Sequence, residues 1–174
     1  LQVKRAAAKS ASAAVGGKRR GGGLSAGPGA HSLRPHRPDR PMPHSFALRV
    51  YYEDTDLAGI VYYANYLKFI ERARTEWVRT LGVDQGRVRA EEGIVFAVRR
   101  VEADYLKPAR FDDELTVTTE VAGVTGARIV LDQAVARAGE RLFQAQVTLV
   151  CLTEAGVAAR IPAALRQRLA PALH

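Results

Sequence analysis

Chemistry in this chain converges on Asp56. It stands in the stretch YEDTDLAGIVYYANYLKFIERARTEW, residues 52–77, where an acidic strand end, a glycine that permits a turn and a tyrosine-rich helix start follow within a few residues. That is how a small enzyme aims one carboxylate at a carbonyl. Composition removes the usual competitors. The four histidines, at 31, 36, 44 and 174, lie in the N-terminal tail or at the last residue, and every serine is at or before Ser45. A Ser-His-Asp triad is therefore not expected in the folded part, nor is a histidine-ligated metal, and no cofactor is called for.

Each candidate has a structural alternative. Asp56 could cap the turn before the helix, as Asp commonly does. Glu53 and Asp54 crowd it with like charge, yet both read as solvated. Tyr62, Tyr63 and Tyr66 read as core or pocket wall. Glu71 is a second carboxylate on the helix, and an i,i+3 pair with Arg74 explains both residues structurally. Cys151, in VTLVCLTE, reads as a small buried residue on a strand, because no cation or histidine lies nearby to activate its thiol.

The elements that must position Asp56 follow from periodicity. FALRVYYED alternates Phe46, Leu48, Val50 and Tyr52 on one face of a strand ending in acids. After Gly59, residues 63–81 read as a helix closed by Gly82. Its Tyr66, Leu67, Phe69, Ile70, Ala73, Trp77 and Val78 fall in one apolar sector. Four β-rich runs follow at 94–106, 114–124, 127–138 and 141–154. Gly123, Gly126 and the pair Ala138-Gly139 are expected between consecutive runs as hairpin connections. Residues 162–169 read as a short final helix with Pro162 in its first turn. One long helix followed by an antiparallel meander implies an α+β domain whose sheet wraps the helix.

Charge divides the chain. The 174 residues carry a formal charge of +8, and Lys4, Arg5, Lys9, Lys18, Arg19, Arg20, Arg34, Arg37 and Arg40 against Asp39 alone account for all of it. Residues 1–44, rich in Ala, Gly, Ser, Arg and Pro, cannot bury enough apolar area to order themselves and are expected to be a disordered basic tail. Residues 45–174 form the expected domain, electrically balanced, with no general reason to bind nucleic acid. The tail resembles a transit peptide, while leucine at position 1 fits a fragment or an overextended reading frame equally well. No apolar run has the length of a secretory signal or a membrane span, so no stable membrane insertion is expected. One cysteine excludes an internal disulfide and fits a reducing, cytoplasmic setting.

Asp56 to Tyr63, DLAGIVYY, followed by Asn65-Tyr66, resembles the active-site signature of the 4-hydroxybenzoyl-CoA thioesterase group of the hotdog fold. Within it, RVYYEDTD and FIERARTEW are most similar to the Tol-Pal-associated acyl-CoA thioesterases. The likeness covers residues 46–153, including YLKPARFDDEL. It departs at Tyr63, where Tol-Pal-associated members usually carry histidine and the benzoyl-CoA branch tyrosine. The resemblance implies hydrolysis of an acyl-CoA with Asp56 as nucleophile or general base, Gly59, Ile60, Val61 and Tyr63 as substrate-binding residues, and the Tyr63 backbone N–H as oxyanion donor. A helix starting near Tyr63 would leave such amides free at its positive end.

Coenzyme A also calls for cations at the site mouth, and Arg99, Arg100, Arg128 and Arg137 are candidates. The family assembles its sites across a two-fold interface, implying a homodimer or homotetramer. Acyl-carrier protein or the Tol-Pal system are further implied partners. The competing readings are a non-catalytic acyl-binding or envelope-associated module, and a hydratase or dehydratase on the same fold, which would normally need a histidine.

Overall fold

The computed structural model describes residues 43–169. The predicted tail lies outside these residues except for Pro43 and His44. In chain order the elements are β1 (His44–Arg49), a 3-10 turn (Tyr52–Asp54), α1 (Asn65–Thr80), α2 (Gln85–Glu92), β2 (Ile94–Tyr105), β3 (Glu114–Val124), β4 (Arg128–Arg137), β5 (Glu140–Thr153) and α3 (Ala163–Leu169). The strands form one antiparallel sheet in the order β1-β3-β4-β5-β2. None of the described helices is long and apolar enough to cross a membrane.

Alternation along the strands builds the core. Leu115, Val117 and Val121 of β3, Ile129, Leu131 and Val135 of β4, and Phe143, Val147 and Leu149 of β5 are buried on one face, against Phe69, Ile70, Ala73 and Trp77 of α1. The polar exceptions on that face are Thr119 and its cross-strand partner Gln133. Gln133 Nε2 donates to the Ile70 carbonyl and to Thr119 Oγ1, and its Oε1 accepts from Arg74 Nη1, so the buried amide is satisfied. Burial pulls the Arg74 guanidinium pKa down, with Glu71 opposing it through space. No direct Glu71–Arg74 ion pair forms: the Glu71 carboxylate accepts from Thr75 Oγ1 instead.

Local chemistry sets the ends. Ala138 (φ 49°) and Gly139 (φ 82°) give the two left-handed residues of a tight hairpin between β4 and β5. Gly123 is not in a connection as expected; it sits inside β3 where the register to β4 shifts. The carbonyls just past α1, at Leu81 and Gly82, accept from Arg168 Nη1 of α3, and Leu169 beside it is buried. Three further expectations need correction. The first strand ends at Arg49, and Tyr52 turns out to solvent. His44 belongs to β1, paired with Thr119. Helix α2 was not expected: Asp84 caps it by accepting from Gly86 and Arg87 amides, and Gly93 closes it at φ 64°.

Candidate active site

The acidic segment folds into a hairpin clipped to the start of α1. The Tyr51 amide donates to Asp54 Oδ2 (3.0 Å), closing the 3-10 turn. The Asp54 carbonyl accepts from the Tyr62 amide (2.9 Å) and from Asn65 Nδ2 (2.9 Å). Asp54 is 3% exposed, so it is a structural clamp rather than the solvated acid expected. Thr55 bridges Val61 across the hairpin. At its tip the Asp56 amide donates to the Ile60 carbonyl (2.9 Å) and the Gly59 amide to the Asp56 carbonyl (2.9 Å). Gly59 takes φ 68°, a left-handed conformation that costs other residues about 1–2 kcal/mol.

Asp56 is exposed, and its two carboxylate oxygens differ. Oδ1 accepts from the Ala58 amide (2.9 Å), which fixes the side chain as an Asx-turn does. Oδ2 has no hydrogen-bond partner among the described residues. The capping alternative is thus realised with one oxygen, leaving the other available for chemistry.

The helix begins two residues later than its sequence pattern suggests. Ala64 is the N-cap, with no side-chain cap. The Asn65 amide donates to the Tyr62 carbonyl, whereas the Tyr63 and Ala64 amides have no acceptor among the described residues. These free donors carry the positive end of the α1 dipole, and Tyr63 follows the return arm of the hairpin that carries Asp56.

Aromatic rings wall this end of the molecule. Tyr62 and Tyr63 pack at 4.7 Å between centroids, and Tyr63 meets Tyr105 edge-on at 6.2 Å. Tyr105 Oη donates to the Tyr63 carbonyl (3.2 Å). The Tyr62 hydroxyl is raised above its ordinary pKa by the neighbouring Tyr63 hydroxyl first, then by burial and by the Asp56 charge. Burial raises Tyr105 as well. The Val61 amide donates to the Ala109 carbonyl (2.8 Å), and Ile60 bridges Arg110. The segment between β2 and β3 therefore backs the hairpin, a contact that sequence spacing did not reveal.

The remaining candidates are placed as follows. Glu71 is exposed, two turns along α1 from the free amides. Arg100 pairs with Glu102 (2.6 Å), and Arg137 with Asp113 (2.7 Å) and Glu140 (3.3 Å). The guanidinium groups of Arg99 and Arg128 have no such partner among the described residues. His44 stands at the far end of β1, roughly 17 Å from Arg49 at about 3.4 Å per residue, away from the Asp56 hairpin. Cys151 is fully buried, its thiol pKa pushed up by burial.

The chain is similar to known proteins. A protein named acyl-CoA thioesterase YbgC from Haemophilus influenzae is 46% identical over 108 residues, covering 62% of this chain and 79% of that protein. The acyl-CoA thioester hydrolase YbgC of Escherichia coli is 42% identical over 106 residues, covering 60% and 78%. The crystal structure of a probable thioesterase from Bartonella henselae superposes with a TM-score of 0.67 at 35% identity, covering 70% of this chain and 100% of that one. The sheet wrapped on one helix is thus the hotdog fold. Residues 58–144, from the Asp56 hairpin through β5's start, match the family model described as Thioesterase superfamily, and the chain belongs to that family.

Proposed function

We propose that this chain is an acyl-CoA thioesterase that hydrolyses its substrate to free acid and CoA at the Asp56 hairpin. The observation that carries the site assignment is the pairing, on one hairpin, of an exposed carboxylate oxygen with the unbonded amides of Tyr63 and Ala64. The relatives' names supply the substrate class. As nucleophile, Asp56 Oδ2 attacks the thioester carbon and CoA leaves as thiolate; water then cleaves the resulting anhydride. As general base, Oδ2 takes a proton from water, whose hydroxide attacks the same carbon before the thiolate leaves. In both routes the carbonyl oxygen gains charge and accepts from the Tyr63 amide, a donor type worth about 2.7–4 kcal/mol of barrier lowering. Gly59, Ile60 and Val61 shape the substrate's approach. A hydratase would draw on histidine, and His44 is remote.

A homodimer completes the site. The inner-face rows that α1 buries on β3, β4 and β5 continue onto edge strand β2, where Val101 pairs with Val147 and Tyr105 with Phe143. There they lie open, with Val101 38% and Tyr105 48% exposed. A twelve-residue edge strand with partly exposed apolar side chains is an invitation to pair, and antiparallel β2-to-β2 pairing covers it; a tetramer would stack two such pairs. A cytoplasmic location fits the lone reduced cysteine. Association with acyl-carrier protein or the Tol-Pal system rests on sequence resemblance and is read by co-purification. Thiol release by purified protein on a panel of acyl-CoAs tests the activity: no release from any of them overturns it.

A further inference from the structure

Asp56 and the free Tyr63 amide sit on a hairpin whose own hydrogen bonds are mostly internal. Besides the Ile60–Arg110 bridge and the Tyr105 hydroxyl on the Tyr63 carbonyl, two contacts hold its base and its far strand. Asn65 Nδ2 holds its base through the Asp54 carbonyl (2.9 Å). The far strand is held by the Ala109 carbonyl, which accepts from the Val61 amide (2.8 Å). Ala109 is itself fully buried, and its amide donates to Tyr66 Oη (2.8 Å). Three hydrogen bonds thus run in series: Ala109 amide to Tyr66 hydroxyl, Val61 amide to Ala109 carbonyl, Asp56 amide to Ile60 carbonyl (2.9 Å).

Tyr66 is suited to be the fixed end of this series. It lies in the first turn of α1, is 3% exposed, and stacks on Phe143 at 5.1 Å and 21°. Tyr105 and Phe69 meet its ring edge-on at 5.7 and 5.9 Å. Burial raises its pKa, so the hydroxyl stays neutral through the working range. The same helix turn adjoins the unbonded Tyr63 and Ala64 amides.

Resting on the thioesterase reading above, we infer that Tyr66 is a positioning residue: by holding the Ala109 amide, its hydroxyl sets where the Asp56 carboxylate stands relative to the Tyr63 N–H. It touches no reacting atom. Its effect therefore falls on turnover rather than on substrate affinity, because geometry between reacting groups is what it controls.

Tyr66→Phe in the full chain is the test, since the ring and its stacking are kept. The control is Thr119→Val, which removes an equally buried hydroxyl acceptor, the one that serves Gln133 (2.9 Å), away from the hairpin. Tyr66→Phe should lower kcat on an acyl-CoA by about tenfold or more with KM within about threefold, while Thr119→Val leaves kcat within about twofold at a similar loss of Tm. Amide exchange at Ala109 and Val61 should quicken in the first variant only. In an Asp56→Asn background, Tyr66→Phe should change the residual rate by less than about twofold, because coupled residues are not additive. Unchanged kcat in Tyr66→Phe, equal losses in both single variants, or the same fold loss with Asp56 already replaced would each overturn the inference. Wild-type protein that releases no thiol would refute the thioesterase reading alone, with amide exchange still deciding whether Tyr66 holds the hairpin.

Discussion

Replacing Asp56 by Asn and by Ala separates its chemical role from its structural one. Asn retains an oxygen that can accept from the Ala58 amide, the 2.9 Å bond that Asp56 Oδ1 makes, so the turn should persist and Tm should move by no more than about 1 °C. Ala removes that acceptor at an exposed site, a loss of about 0.5–1.5 kcal/mol, or a few degrees at about 2–4 °C per kcal/mol for a chain of this size. Both changes remove the basic oxygen. A positioned general base is worth about 10²–10⁴ in rate, which at about 1.4 kcal/mol per decade is about 2.7–5.5 kcal/mol of barrier. Turnover of acyl-CoA, followed by thiol release at saturating substrate, should therefore fall by at least about 100-fold in both variants. Only the Ala variant should melt earlier. An Asn variant within about threefold of wild-type turnover would refute the assignment of Asp56, and an inactive Asn variant that melts as early as Ala would refute the division of labour between its two oxygens.

Three further outcomes are expected. Glu71→Gln keeps an acceptor for Thr75 Oγ1 and should leave turnover within about twofold, since a group that takes no proton has no base effect to lose; abolished turnover at unchanged Tm would move the catalyst to the helix. Val101→Lys puts a charge on the open inner face of β2 and should give folded monomers with turnover falling alongside the dimer fraction, as sedimentation and activity measured together will show; a fully active monomer overturns the shared-site model. Deleting residues 1–42 should abolish retention on heparin or anionic vesicles and leave turnover unchanged, because the net charge lies there.

What was legible in the sequence followed periodicity. The apolar sector of α1 and all four later strands are found where their side chains alternate or recur, because burial of those side chains is what selects the element. Helix α2 was invisible to that logic: none of its residues is buried, so no stripe marks it. Its signal was the bracket of Asp84 and Gly93, a cap at each end. Asp54 and Asp56 look alike in sequence, and only the 3-10 turn decides that the first is swallowed and the second presented. Arg74 was paired with its helical neighbour, whereas the fold offered it Gln133, 59 residues away. Tyr66 was read correctly as core, but the partner of its hydroxyl lies 43 residues downstream, a separation no local pattern encodes.

The clasp between Arg168 and the end of α1 bears on the order in which the fold can close. Leu81 and Gly82 wait 87 and 86 residues for their partner, and the hairpin carrying Asp56 waits for Ala109 and for β3. During synthesis Asp56 therefore precedes by many residues the segments that anchor its hairpin and close the far end of its helix. Such distant closures slow folding, and the hairpin takes its final shape only once the segment that follows β2 has been added.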